Sequence, residues 1–194
     1  MKKVIAHLKS IGAYSQSRVV TETKQSKESH EEFEARIWPK KAHSTPDGFV
    51  CIPPTAFKNC LAEAAKFLSL QIPGKGKATF TKHFESGVLC VDPMILDIKV
   101  ADLQSERLFL PASGKRGDGR RVWRTFPLIP SWSGDVVFHV LDETVLQSMP
   151  DDDMTVFEHV LNSAGQLIGI GRFRPRNNGY YGRFVVDNLK IEDA

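Results

Sequence analysis

The chain has 194 residues, of which 41% are apolar and 25% charged, and this suits one domain of ordinary size with a substantial hydrophobic interior. No apolar run approaches the roughly 18 residues that a membrane span needs, and His7, Lys9 and Ser10 interrupt the basic N-terminus before a signal-peptide core can form. Three scattered cysteines, none in a C-x-x-C pair, exclude a disulfide framework. We therefore expect a cytoplasmic protein with buried thiols and no membrane role.

Positive charge is concentrated in two segments, although the net charge of the whole chain is only +3. Residues 107–124 carry six lysines and arginines against one aspartate, and residues 169–183 carry four arginines and no acid. Together these segments carry +9, so the rest of the chain has a net charge of −6. Charge that is segregated in this way indicates a localised site for a polyanion.

The first third of the chain predicts a strand, a long insertion and a helix. Imperfect alternation over residues 3–13 predicts a strand that ends at Gly12. Residues 14–47 are polar and poor in aliphatic side chains, so we expect a long functional loop or a partly disordered insertion. Apolar residues recur at helical spacing over 55–70, which predicts a helix that Thr55 caps.

The remaining residues predict mostly strands, with one further helix. In chain order they are a glycine-punctuated basic turn at 72–80, a strand at 87–100 interrupted at Pro93, a strand at 106–110, a basic loop at 113–124, a strand at 136–142, a helix at 154–168 with Asp151, Asp152 and Asp153 at its N-terminal end, and a last strand at 180–191. This order predicts an α+β protein whose helices cover one face of a sheet.

The sharpest local signal is a segment near the C-terminus in which glycines alternate with arginines. Glycine lets a backbone approach a polyanion closely, arginine supplies donors to phosphate, and tyrosine offers a flat surface on which an unpaired base can stack. The candidate RNA-binding residues here are Gly169, Gly171, Arg172, Arg174, Arg176, Gly179, Tyr180, Gly182 and Arg183, with Tyr181 as a second ring. The alternative is a tight turn whose arginines are merely solvated.

The loop at 113–124 supplies a second basic arm, in which Trp123 can stack on a base or anchor the loop. Its candidate phosphate contacts are Lys115, Arg116, Arg120, Arg121 and Arg124. The spacing of its glycines resembles a P-loop, but Lys followed by Ser or Thr is missing. The C-terminal glycines likewise follow a helix and lack the third glycine of a dinucleotide fingerprint. We therefore expect no nucleotide cofactor.

Catalytic and metal-binding patterns are weak in this sequence. Six histidines lie far apart and form no zinc motif, and no serine stands in a nucleophile elbow. His139, within a strand, and His159, within a helix, are expected to be structural. His43 and Asp47 are the best placed to act as a general acid or base at an RNA 2′-hydroxyl. Their spacing alone is not enough to assign either one a catalytic role. We assign no catalytic residue and no metal.

Two segments resemble the CRISPR-associated RAMP superfamily. Residues 52–58, I-P-P-T-A-F-K, are similar to the I-P-G-[ST]-[ST]-[LF]-[KR] start of that family's first helix, although Pro54 stands where the family has glycine. Residues 168–184 are similar to the glycine-rich loop that precedes its last strand. The resemblance implies a ferredoxin-like (RRM-type) core with an antiparallel sheet and helices on one face. It implies one domain, with insertions at about 14–47 and 71–134.

The resemblance also implies a function, because backbone subunits of that superfamily coat guide RNA in multisubunit effector complexes. We therefore expect sequence-tolerant binding of single-stranded RNA through its phosphates, with Lys58 and the two basic segments as contacts. Other copies of the chain and other effector subunits are the implied protein partners. Two alternatives stay open. One is a metal-independent endoribonuclease that processes guide precursors, and the other is a phage or mobile-element protein that blocks a CRISPR complex by protein contact.

Overall fold

The computed structural model of the chain describes residues 1–114, 117, 119–150 and 152–194. The described residues form eleven strands and four α-helices. The strands are β1 (Lys2–Ser10), β2 (Tyr14–Ser15), β3 (Phe49–Ile52), β4 (Val88–Leu89), β5 (Met94–Lys99), β6 (Gln104–Pro111), β7 (Arg121–Ile129), β8 (Ser133–Val140), β9 (Ser148–Met149), β10 (Asp152–Thr155) and β11 (Phe184–Asp193). The helices are α1 (His30–Ile37), α2 (Pro54–Leu68), α3 (Thr81–Gly87) and α4 (Val156–Ser163).

The core is a four-stranded antiparallel sheet in the order β11-β1-β8-β4. Along the chain, helix α2 lies between β1 and β4, and helix α4 lies between β8 and β11. Val4, Ala6 and Leu8 on β1 are completely buried in the same apolar cluster as both helices, whereas Ile5 and His7 between them stay partly exposed. The helices therefore lie on one face of the sheet. This ferredoxin-like arrangement confirms the predicted α+β fold class.

Helix α2 forms where the apolar spacing predicted it, but its N-terminus differs from the prediction. The helix begins at Pro54 after Pro53, with no side-chain cap, so Thr55 lies inside the first turn and the prediction that it caps the helix is wrong. Proline suits the first helical position because its φ is already helical and it has no amide to leave unpaired. The residues that α2 buries against the sheet are Phe57, Cys60, Leu61, Ala64 and Ala65.

The helix predicted at 154–168 divides into three parts. Residues 152–155 form β10, α4 follows, and Ala164–Ile168 make a π-helical turn. Thr155 caps α4 by accepting a hydrogen bond from the amide of Glu158 at 3.1 Å. Asp152 and Asp153 therefore belong to a strand and do not lie at the helix N-terminus as predicted, and Asp151 is outside the described residues.

The segment 14–47, predicted as a loop or a partly disordered insertion, contains regular structure. Strand β2 pairs with β7, and Ser29 opens α1 with a complete capping box. A buried ion pair joins Lys41 to Glu34 at 2.6 Å, and Thr125 on β7 bonds to both, accepting from Lys41 at 2.8 Å and donating its amide to Glu34 at 2.9 Å. Because these polar groups satisfy one another, the polar insertion docks firmly on β7.

Strands β6 and β7 form a hairpin, which we call the β6–β7 hairpin (residues 104–129). Phe109 lies opposite Trp123 in its register, and β2 completes a three-stranded sheet in the order β2-β7-β6. The predicted basic loop at 113–124 is therefore wrong for residues 121–124, which belong to β7. The loop that remains, residues 112–120, is called the hairpin turn. Lys115 and Arg116 within it are outside the described residues.

Strands β3 and β5 form one two-stranded sheet and β9 and β10 another. Cys51 and Cys60 are buried free thiols, as predicted, whereas Cys90 is partly exposed. In the part of the chain that the structure describes, no helix combines the length and the apolar character that crossing a membrane requires.

Candidate nucleic-acid interface

Residues 169–183, here called the glycine-rich segment, fold back on themselves. The amide of Ile170 donates to the carbonyl of Gly182 at 3.0 Å, and the amide of Tyr181 donates to the carbonyl of Phe173 at 3.0 Å. The segment also lies against β2, because the amide of Arg172 donates to the carbonyl of Ser15 at 2.9 Å. The two ends of the segment are therefore joined by backbone hydrogen bonds, and the segment packs on the insertion.

The glycines of this segment are surrounded by the protein's own backbone and side chains. A Cβ atom would lie 2.7 Å from a Pro175 side-chain carbon at Gly169 and 2.4 Å from the carbonyl oxygen of Ser15 at Gly171. At Gly179 and Gly182 it would lie 1.7 Å and 1.8 Å from carbonyl oxygens of the segment itself. Internal packing alone therefore accounts for these glycines, and their contact with RNA stays a prediction.

The arginines of the glycine-rich segment are partly occupied by internal contacts. Arg174 and Arg176 both pair with the carboxylate of Glu63 on α2, at 2.9 Å and 3.0 Å. The guanidinium of Arg172 lies 3.0 Å from the ring centroid of Phe126 on β7, and burial lowers the pKa of Arg172 to about 10. Arg183 is half-buried, with its Nε enclosed by protein. The glycine-rich segment therefore exposes less positive charge to solvent than its four arginines suggest.

The two predicted tyrosines differ in their availability. Tyr180 is 68% exposed, and its ring stands edge-on to that of Tyr181, with centroids 4.7 Å apart. Tyr181 is buried and its hydroxyl donates to Glu106 on β6 at 2.8 Å, so burial together with this carboxylate raises the pKa of Tyr181. Of these two tyrosines, Tyr180 is the one that presents an exposed ring for stacking.

The same contacts bring the two predicted basic segments together. Arg172 lies on Phe126 of β7, Tyr181 bonds to Glu106 of β6, and the positive charge of Arg124 contributes to the electrostatic environment of Arg172. The glycine-rich segment and the β6–β7 hairpin therefore form one continuous structure around the insertion. Nothing in the sequence indicated this contact.

Lys58 lies apart from both segments. Its ammonium donates to the carbonyl oxygens of Phe84 at 2.5 Å and Glu85 at 2.9 Å, in the last turn of α3, and burial lowers its pKa. Carbonyls at a helix C-terminus lack partners within the helix, and a lysine that bonds them stabilises the helix end. Lys58 therefore has a structural role here, and its contact with RNA stays a prediction.

The β6–β7 hairpin presents cations beside exposed aromatic rings. Phe109 is 46% exposed and Trp123 41% exposed, with ring centroids 5.1 Å apart. The guanidinium of Arg107 lies 4.6 Å from the Trp123 ring centroid and pairs with Glu31 at 2.8 Å. Phe109 was missed in the sequence, although alternation along β6 places it on the face of Trp123.

The arginines of the hairpin differ in their environment. Arg121, the first residue of β7, is exposed, and Arg120 immediately before it is exposed as well. Arg124 is half-buried and donates to the carbonyl of Ala112 at 2.7 Å, which fixes the base of the hairpin turn. At Gly114 and Gly119 no described atom lies within 4 Å of an added Cβ. Among the described residues, the space beside Gly114 and Gly119 is therefore open, whereas the space beside the glycines of the glycine-rich segment is filled.

The predicted acid-base candidates are not assembled into a site. Burial and the nearby Arg18 lower the pKa of His43, which favours its neutral form, and no hydrogen bond joins it to the exposed Asp47 among the described residues. A second histidine, His83, pairs with Asp142 at 2.5 Å. Asp142 also accepts from the amide of Thr144, and these bonds hold the pKa of Asp142 at about 2. This pair joins α3 to the chain that follows β8.

Potential metal ligands are equally scattered. The described residues contain no group of three or more histidine, cysteine, aspartate or glutamate side chains that could hold a metal ion.

Comparison with known proteins adds information on the fold. Neither a protein-family model nor a curated protein matches the sequence. Among solved structures, a Type III-B Cmr-beta complex bound to cognate target RNA contains a chain that is 13% identical, with a TM-score of 0.53. The match covers 99% of this chain and 61% of that chain, so the present chain spans less than two thirds of its length.

Two further solved structures are similar at lower scores. Cmr6 from Pyrococcus furiosus is 12% identical with a TM-score of 0.48, over 96% of this chain and 98% of that one. A chain of a CRISPR RNA-guided surveillance complex is 12% identical with a TM-score of 0.39, over 97% of this chain and 68% of that one. At the 13% identity of the Cmr-beta match, the likeness concerns the fold. The chain therefore shares its fold with this chain of the Cmr-beta complex.

Proposed function

We propose that this chain is an RNA-binding subunit of a CRISPR effector complex and that it binds single-stranded RNA mainly through phosphates. The observation that carries the proposal is the β6–β7 hairpin. Exposed arginines at its turn stand next to an exposed pair of aromatic rings, Phe109 and Trp123, on two strands of a sheet separate from the four-stranded core sheet. This combination of cation and flat ring is what binding to unpaired nucleic acid requires.

The chemistry of the hairpin suits RNA of any sequence. Arg120 and Arg121 offer planar forks of donors that match phosphate oxygens. Trp123 offers a ring on which any base can stack, and Arg107 places positive charge over that ring. Because phosphates and ring faces carry little sequence information, specificity would come from base pairing with a guide or from partner subunits.

The fold likeness supports this assignment, since the Cmr-beta structure is a complex bound to target RNA. On this proposal the partners are single-stranded RNA, other effector subunits and further copies of the chain, in the cytoplasm. The chain acts as one domain whose segments at about 14–47 and 71–134 meet RNA and neighbouring subunits. Binding of this kind needs no metal and no cofactor.

The experiment that tests the proposal compares two double variants of the full chain in their affinity for a labelled single-stranded RNA. Arg120→Ala with Arg121→Ala removes two charges from the hairpin. Lys9→Ala with Lys190→Ala is the matched control, because both lysines are exposed and lie on β1 and β11 of the core sheet, outside the segments assigned to RNA. Affinity is measured by fluorescence anisotropy at several salt concentrations.

We expect the wild-type affinity to fall steeply with salt. The hairpin variant should bind at least about threefold more weakly, and its slope of log affinity against log salt should be shallower by about 1.4, since each phosphate contact to a single strand contributes roughly 0.7. The control should match wild type. A wild-type chain with no salt-dependent affinity for RNA would contradict the proposal.

A further inference from the structure

A second basic surface lies at the C-terminal end of α2, beside the face of this helix that Arg174 and Arg176 contact, and none of its residues belongs to the two basic segments at 107–124 and 169–183. We propose that it is a further RNA contact, in which lysines bind phosphates and an exposed phenylalanine stacks on a base; this inference rests on the proposed function. The surface, here called the α2-end patch, consists of Lys66, Phe67, Lys75, Lys77 and Lys82.

The loop that carries two of these lysines is held firmly at its base. The amide of Phe80 donates to the carbonyl of Leu70 at 3.0 Å, and the amide of Ile72 donates to the carbonyl of Ala78 at 2.9 Å. Ile72 and Phe80 are buried in the core cluster. The loop therefore returns to the end of α2, and its tip, residues 73–77, is exposed.

The charge of the patch is not neutralised nearby. Residues 64–84 contain four lysines and no aspartate or glutamate. All four lysines are exposed, and within the described part of the chain none takes part in an ion pair. Arg174 and Arg176, in contrast, share the carboxylate of Glu63. The α2-end patch therefore presents more available positive charge than these two arginines.

The glycines at the tip are open to solvent. Gly74 and Gly76 have positive φ angles of 74° and 60°, so glycine suits the turn, and no described atom lies within 4 Å of a Cβ added to either one. A phosphate can therefore approach the backbone between Lys75 and Lys77. Internal packing does not fill this space, as it does in the glycine-rich segment.

The exposure of Phe67 favours an RNA contact over a turn whose lysines only contact solvent. Its side chain is 58% exposed on the last turn of α2, next to Lys66. It follows Glu63 by four residues, so it lies on the helix face that receives Arg174 and Arg176. An exposed ring beside free cations is the arrangement that supports stacking of unpaired bases.

The test uses the full chain and the RNA-binding assay described above. Lys75→Ala with Lys77→Ala removes the tip charges, and Phe67→Ala removes the ring. The control is again Lys9→Ala with Lys190→Ala. We expect the lysine variant to bind single-stranded RNA at least about threefold more weakly, with a salt slope shallower by about 1.4. Phe67→Ala should weaken binding with an unchanged slope, and the control should match wild type.

The outcomes separate this inference from the proposed function. If wild type binds RNA and the hairpin variant loses affinity while the Lys75 and Lys77 variant keeps wild-type affinity and slope, the α2-end patch is not an RNA contact and the proposed function stands. If wild type shows no salt-dependent affinity, both fail. Unchanged RNA binding with loss of a co-purifying acidic protein would assign the patch to a protein partner and overturn the inference.

Discussion

The glycine-rich segment and the hairpin turn look alike in sequence, since both combine glycines with arginines. In the structure the space beside each glycine of the first is filled by the protein itself, as at Gly182, where a Cβ would lie 1.8 Å from a carbonyl oxygen. Beside Gly119 in the hairpin turn no described atom lies within 4 Å. A glycine therefore indicates that other atoms approach the backbone closely. Only the fold shows whether those atoms belong to the chain itself or to a ligand.

The arginines of the two regions also differ, because those of the glycine-rich segment are more occupied by internal contacts than Arg121 of the hairpin. Glu63 on α2 holds Arg174 and Arg176, more than a hundred residues away in sequence. Arg121 at the hairpin turn stays exposed. Counting charge along the sequence thus overestimates the cationic surface wherever the fold supplies a distant carboxylate.

The largest expected effect is on the free energy of unfolding. If this effect were absent, the contrast between the filled glycine-rich segment and the hairpin turn would be wrong. Gly182→Ala should lower the free energy of unfolding by about 3 kcal/mol or more, because the added Cβ overlaps the backbone of Ile170 and the residue has a positive φ. Gly119→Ala should change it by less than about 0.5 kcal/mol. Urea unfolding followed by circular dichroism measures both, and equal effects would contradict the account.

The second expected effect concerns stacking on the hairpin. Trp123→Ala should weaken binding of single-stranded RNA by about 1 to 3 kcal/mol without changing the salt slope, since stacking releases no counterions. Trp123→Phe, which keeps a ring, should restore most of the affinity. Anisotropy titrations at two salt concentrations give both quantities. A changed slope with unchanged affinity at low salt would be inconsistent with stacking.

The third effect tests whether Lys58 is structural. Lys58→Met should lower the free energy of unfolding by about 1 kcal/mol, because the carbonyls of Phe84 and Glu85 lose a donor. The affinity for single-stranded RNA should stay within about twofold of wild type, since a lysine held in this way contributes no free charge. A large loss of RNA affinity with unchanged stability would show that Lys58 contacts RNA, as the sequence predicted.

The smallest effect sharpens the comparison of charges. Glu63→Gln should release Arg174 and Arg176 and raise the affinity for single-stranded RNA by about twofold to fivefold, with a steeper salt slope. Combining it with Arg174→Ala and Arg176→Ala should abolish the gain. Lower affinity in the single variant would mean that Glu63 positions the arginines for RNA and does not withhold them.

The fold class could be predicted from the sequence, whereas the insertion could not. Periodicity identified α2 and β1 because each buries one apolar face in the core. Helix α1 is short and polar, and the ion pair between Glu34 and Lys41 that docks it depends on Thr125, which lies more than eighty residues further along the chain. Such long-range bonds leave no local pattern.

The candidate site was predictable in part for the same reason. Trp123 and the arginines before it were identified from composition, but their position on a strand depended on pairing with β6. The basic turn at 72–80 was predicted, but Lys66 and Lys82 were not grouped with it because they lie on flanking elements. Their significance comes from the absence of an ion pair within the described residues and from the exposed ring of Phe67.

The most direct test of the central claim is to map where single-stranded RNA touches the protein. A 4-thiouridine-labelled RNA is photocrosslinked to the full chain, and the crosslinked peptides are identified by mass spectrometry. We expect crosslinks within residues 104–129 that disappear at high salt. Crosslinks confined to residues 169–183, or none at any salt concentration, would contradict the claim that the β6–β7 hairpin binds RNA.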